Sequence, residues 1–106
     1  MTSFNEREEA FEQQFAHDEE LKFKATARRN KMLGLWAAEK LGLKGAEADA
    51  YALSVVMADL EDTGHDVAGK IRKDFDAKGV AQSDHQIART MDELMAKALA
   101  DIKAGR

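Results

Sequence analysis

Five cations, Lys22, Lys24, Arg28, Arg29 and Lys31, stand within ten residues with no acid among them. Side chains of this kind serve three sorts of anion: carboxylates of a neighbouring helix, phosphate, or an acidic partner protein. Asp18 and Glu20 precede Lys22 and Lys24 by four residues, the helical spacing at which opposite charges contribute about 0.2–0.5 kcal/mol per pair. Arg28, Arg29 and Lys31 have no acid within one turn on their own helix, so they are available to acids across the bundle, such as Asp59, Glu61 or Asp74, or to a ligand.

The remaining candidates for chemistry are weaker. His17, His65 and His85 are far apart, no HExxH pair exists, and the chain has no Cys. That composition excludes thiolate catalysis, a thiolate metal site and a disulfide framework. Gly64 to Ile71, "GHDVAGKI", fits the first seven positions of the phosphate loop GxxxxGK[ST]. Ile71, however, replaces the hydroxyl that would hold magnesium, and no strand pattern precedes the loop, so the match reads as chance. The carboxylates lie on charged helix faces, with no apolar setting to raise a pKa. The chain is therefore not expected to be an enzyme, and no metal or required cofactor is assigned. If phosphate binds, the candidates are Lys24, Arg28, Arg29 and Lys31, with Lys70 from the glycine turn.

The 106 residues suit one domain, and the net charge of -4 argues against nucleic acid as a partner, since that relies on a basic surface. "MTSFNEREEAF" lacks the basic and apolar regions of a signal peptide, and no apolar run approaches the roughly 20 residues that span a bilayer. A cytosolic protein without direct membrane insertion is expected.

With no Pro and seven Gly, the elements that position the cations are helices separated by glycine stops. Ser3 with Glu6 reads as a capping box opening a first helix near residues 4–16. Asp18, Glu19 and Glu20 start a second, which runs to Gly42 as its C-cap. A third covers about 46–62 and stops at Gly64, and a fourth covers about 65–78 and stops at Gly79. Ser83 with Gln86 caps the last, whose Ile87, Met91, Leu94, Met95, Ala98 and Ile102 share one face. The expected fold class is all-α, a four-helix bundle formed by helices two to five, with an additional N-terminal helix. In the second helix Leu21, Ala25, Met32 and Trp36 fall on one side and should face the core, while Phe23, Ala37 and Leu41 fall on another. The cations divide as well: Lys24, Arg28 and Lys31 share one flank, Lys22 and Arg29 another.

The first helix has an apolar stripe of only Phe4, Phe11 and Phe15 among charged and Gln residues. Its burial barely offsets the entropy of ordering a dozen residues, so alone it should fray. It either packs on its own bundle or becomes ordered in a partner's groove.

The stretch "FNEREEAFEQQFAHDEELKFKATARRNKMLGLWAAEKLG", Phe4 to Gly42, closely resembles the zeta subunit family, alphaproteobacterial inhibitors of the rotary F-type ATP synthase, formerly a domain of unknown function. "VVMADLEDTGHDV" and "DVAGKIRKDF" also resemble that family, so the resemblance spans essentially the whole chain. It implies an inhibitory segment, residues 1–17, and a helical bundle, residues 18–106. The segment would enter the catalytic interface of the synthase head, a role similar to that of the mitochondrial ATPase inhibitor on a different fold. Phe4, Glu6, Arg7, Phe11 and Phe15 would then contact the alpha, beta and gamma subunits and stop the rotor. The resemblance places the protein in the cytoplasm, at the inner membrane's cytoplasmic face when bound, and implies weak ADP or ATP binding. The alternative is a regulatory module that senses adenine nucleotide through Arg28, Arg29 and Lys31 or the Gly64 to Lys70 turn.

Overall fold

Stretches rich in Glu, Gln, Lys and Ala, free of Pro and interrupted only by Gly, favour long helices with sharp ends. The computed structural model describes the backbone of residues 2–61 and 66–106, and the side chains of 18–61 and 66–106. It contains α1 (Thr2–Lys40), α2 (Gly45–Glu61), α3 (Val67–Lys78) and α4 (Asp84–Lys103), with no strand among the described residues. The all-α bundle is as expected, but its first two expected helices are one. The acids Asp18 to Glu20 are good enough helix formers to sit inside α1, and nothing before Gly34 breaks it. The Ser3–Glu6 box, the Phe4, Phe11 and Phe15 stripe, Glu6, Arg7, His17, Gly64 and His65 lie outside the residues described by side chain.

The helix ends follow local rules. At the end of α1, Gly42 takes φ +80°, letting the Leu43 N–H reach the Ala38 carbonyl at 2.9 Å and its own N–H reach Glu39 at 3.1 Å. Gly79 does the same for α3, with φ +70° and the Val80 N–H on the Phe75 carbonyl at 2.9 Å. Helix α3 starts after Asp66, whose carboxylate accepts the Gly69 N–H, and α4 starts with the expected Ser83–Gln86 capping box. Arg72 fastens the intervening turn: it donates to the Gln82 carbonyl and pairs with Asp76 at 2.8 Å and Asp84 at 3.5 Å.

Helix α1 packs on α2 and α4, and α3 packs on the same two helices. All four contribute to one core, with Leu33 and Ala37 meeting Val55, Ile71, Phe75 and Ile87. Trp36 adds an edge-to-face contact with Phe75, ring centroids 5.7 Å apart. The expected α4 face holds, with Ile87 and Ala98 buried and Met91, Leu94, Met95 and Ile102 half-buried.

The core face of α1 differs from expectation. Among the described residues of α1, Ala25, Asn30, Leu33, Gly34, Ala37 and Ala38 are buried, Leu21, Met32 and Trp36 are only partly covered, and Phe23 is exposed. Two helices flank α1, so its covered stripe is broad and centred between the two sides that helical spacing picked out. The centre is occupied by small or polar side chains that apolar periodicity passes over.

Gly34 sits where α1 and α2 touch. A Cβ there would lie 2.5 Å from the Ala52 Cα and 3.2 Å from its carbonyl oxygen, so backbone rather than a yielding side chain blocks it. In an unobstructed helix, Gly→Ala would gain up to about 1 kcal/mol. Here overpacking, at about 1–3 kcal/mol, should win. Gly34→Ala is therefore expected to lower stability by about 1 kcal/mol, and Gly34→Leu by considerably more, in urea unfolding at unchanged m-value. An Ala variant more stable than the parent would show that the helices part freely at this point.

Candidate functional site

The basic run of α1 splits on folding into an anchored part and an exposed part. Asn30 is 1% and Asp59 8% exposed, each in line with apolar residues of its helix: Leu33, Gly34 and Ala37 follow Asn30, and Ala52 and Val55 precede Asp59. The Asn30 amide donates from Nδ2 to the Asp59 Oδ2 at 3.0 Å. Its Oδ1 accepts from Arg29, from Nε at 3.1 Å and Nη2 at 2.8 Å. This orientation of the amide turns its NH2 to a carboxylate and its oxygen to a guanidinium, a donor to an acceptor on each side. The guanidinium is half-buried, which lowers its pKa, while Asp59 and Asp92 of α4 act the other way. An arginine stays charged under such a perturbation. Arg29, Asn30, Asp59 and Asp92 thus form a polar joint among α1, α2 and α4.

The other cations are differently placed. Lys24 pairs with Glu20 at 2.9 Å, as their spacing suggested, with both side chains exposed. The Asp18–Lys22 pair does not form among the described residues. Lys31 is exposed and Arg28 half-buried, and neither has an ion-pair partner among the described residues. Lys70 belongs to a separate joint between α2 and α3. Its Nζ lies 3.0 Å from Asp74 Oδ2 and 5.2 Å from the centre of the Tyr51 ring, while the Tyr51 hydroxyl donates to the same oxygen at 2.7 Å. Burial first, then the bond to the Asp74 carboxylate, raises the Tyr51 pKa well above its ordinary value.

The residues "VAGK" of the phosphate-loop match form the first turn of α3. The Gly69 amide, which a phosphate cradle would turn to its ligand, is bound by Asp66 Oδ1 at 2.9 Å. The structure therefore groups Lys24, Arg28 and Lys31 on one helix and ties Arg29 and Lys70 into helix contacts. Among the described residues no group of three or more His or acidic side chains could hold a metal ion, and no helix is long and apolar enough to cross a membrane.

Sequence reasoning missed Asn30, while Asp59 was among the acids expected to face the basic run across the bundle, and it does act on Arg29. A usable signal existed: each is a polar residue at helical spacing within a run of small and apolar ones. The Lys70–Asp74 pair stands at i,i+4 spacing and was locally legible, whereas nothing local pointed to Tyr51 as the second donor to Asp74.

The family model described as ATPase inhibitor subunit zeta matches residues 1–101. A chain solved in solution by NMR is 45% identical, covering 81% of this chain and 99% of its own length, with a TM-score of 0.69. No curated protein matches.

Two outcomes are expected of the joints. Asn30→Leu should cost about 1–3 kcal/mol by leaving the Asp59 carboxylate without its amide. Asn30→Leu with Asp59→Leu should not recover that loss, because the half-buried Arg29 guanidinium then loses both its acceptor and a compensating charge; a double-mutant cycle in urea measures the coupling. For Tyr51 the folded-state pKa lies above the ordinary value of about 10. Its contribution is thus complete below pH about 10 and lost as pH rises above it, since the unfolded chain then releases a proton that the folded one retains. Stability of the parent should fall more steeply in alkali than that of Tyr51→Phe, and parallel slopes would refute the coupling.

Proposed function

Because the chain belongs to the ATPase inhibitor subunit zeta family, we propose that it inhibits the F-type ATP synthase by inserting residues 1–17 into the catalytic interface of the head, with residues 18–106 forming a bundle that remains outside. The family match carries this reading, since it begins at residue 1 and includes the whole Phe4, Glu6, Arg7, Phe11 and Phe15 stripe. Supporting it, the four helices already close a core around Leu33, Val55, Ile71, Phe75 and Ile87, which the bundle keeps when the segment is engaged elsewhere.

The segment would lodge between catalytic and non-catalytic subunits and obstruct rotation. Phe11 and Phe15 supply apolar area for a groove, and the charged residues between them, among them Glu6 and Arg7, supply polar contacts at its edges. Inhibition of hydrolysis without synthesis requires tighter binding to the conformation that the hydrolytic direction presents, because a ligand shifts an equilibrium only by its difference in affinity. The protein acts as a regulatory subunit, and its effect on the enzyme comes from occupancy.

Removing residues 1–16 should abolish inhibition of ATP hydrolysis by purified cognate synthase while the remaining chain melts cooperatively. Phe11→Ala or Phe15→Ala should weaken inhibition by about 3 kcal/mol or less each. The comparison is Phe75→Ala, whose ring is fully buried and whose loss should lower the melting temperature strongly. If Phe11→Ala destabilised the free protein as much as Phe75→Ala does, the stripe would belong to the folded domain and the proposal would fail.

A further inference from the structure

The portion of α1 just beyond residue 17 carries an aromatic ring that the bundle does not use. Phe23 is 65% exposed. It forms a ridge between two grooves. On one side lies a cavity of about 590 Å³ between α1 and α2, lined by Thr26, Arg29, Val56, Leu60 and Met91. On the other, a groove of about 390 Å³ runs beside Lys24, Arg28 and Ile102. Leu60, itself 58% exposed, shares the first groove with Phe23, and Met57 and Leu53 continue its exposed apolar line along α2. The first groove carries charges of both signs, Glu19 and Asp59 beside Lys22 and Arg29, whereas the charged residues of the second are all cations, Lys24, Arg28 and Arg106.

We propose that Phe23 anchors a second contact with the ATP synthase head, entering an apolar pocket rimmed by carboxylates at the mouth of the cleft that receives residues 1–17. The inference rests on the function proposed above. Two observations select this occupant. Helix α1 runs unbroken from Thr2 to Lys40, so Phe23 follows the inserted segment on the same rod, about 9 Å beyond residue 17 at 1.5 Å per residue. Insertion of the segment carries the ring to the rim. The flanking cations complement an acidic rim: Arg28 has no ion-pair partner among the described residues, and the exposed Lys24–Glu20 pair is easily exchanged. An exposed aromatic with cationic neighbours is the usual composition of a binding anchor. On this basis the "FKATARRNK" run serves two ends: Arg29 holds the bundle together, and Phe23, Lys24 and Arg28 hold the bundle to its target.

The test is inhibition of ATP hydrolysis by purified cognate synthase, titrated with the full-length protein and its variants. Phe23→Ala should raise the half-inhibitory concentration about tenfold or more, with a melting temperature equal to the parent's. Arg28→Glu should raise it severalfold at low salt, the difference shrinking as potassium chloride is added. Lys40→Glu, an exposed reversal at the far end of α1, should behave as the parent. If removal of residues 1–16 abolishes inhibition while Phe23→Ala and Arg28→Glu inhibit like the parent, the second contact is refuted and the inhibitory segment stands. If the truncated chain inhibits fully, the failure lies with the proposed function. Sedimentation showing a dimer that Phe23→Ala dissociates would assign the ring to self-association, and loss of ADP-induced chemical-shift changes in Phe23→Ala with normal inhibition would assign it to a small ligand. Either result overturns the inference.

Discussion

The approach of α1 to α2 at Gly34 and Ala52 is the constraint on which the other contacts depend. With no side chain at residue 34, the backbones come close enough that even one Cβ would be obstructed. The helices run antiparallel from that point, so residues toward the start of α1 meet residues toward the end of α2. Asn30 therefore reaches Asp59, and farther out Phe23 and Leu60 border one groove. Around the crossing Leu33 and Ala37 close on Val55 and on the α3 and α4 residues of the core. A wider crossing would separate all these pairs together, because one rigid helix carries every member from the α1 side.

The same geometry explains why a basic run can be both structural and available. A helix flanked by two neighbours buries a broad stripe, and Arg29 lies at its border. Its guanidinium turns inward to the Asn30 amide, with Asp59 and Asp92 near enough to offset the loss of solvent. Lys24 and Lys31 fall on the open side, and charges there remain hydrated at little cost. Adjacent residues of one sequence word thus have different fates, set by about 100° of rotation per residue.

Local rules made the helix ends legible. Gly42 and Gly79 occupy the positive-φ positions, and Ser83 with Gln86 closes a reciprocal pair of bonds; each is decided within six residues of chain. The α4 face was equally readable, since apolar residues repeat there without a polar interruption. The break expected near residue 17 was a local inference too, and it failed because acids that suit a helix start also suit a helix interior. What escaped were pairings made between helices: Asn30 is unfavourable in a core until Asp59 is present, and Tyr51 of α2 reaches Asp74 of α3. The family resemblance supplied the inhibitory role, which no motif of catalytic or metal chemistry in the residues would have suggested.

The pairing of α1 with α4 also bears on the order in which the molecule is made. Helix α1 ends at Lys40, while α4, which covers its second side, begins at Asp84. At about 5–20 residues per second, the ribosome takes seconds to deliver the later helix. During that interval Leu33, Ala37 and Ala38 can be sheltered by α2 alone, and the α4 side of the stripe stays wet. Until translation passes Ile87 and Ala98, the α1–α2 contacts of Gly34 with Ala52 and Asn30 with Asp59 are within reach of the chain, but the core they border lacks its α4 side.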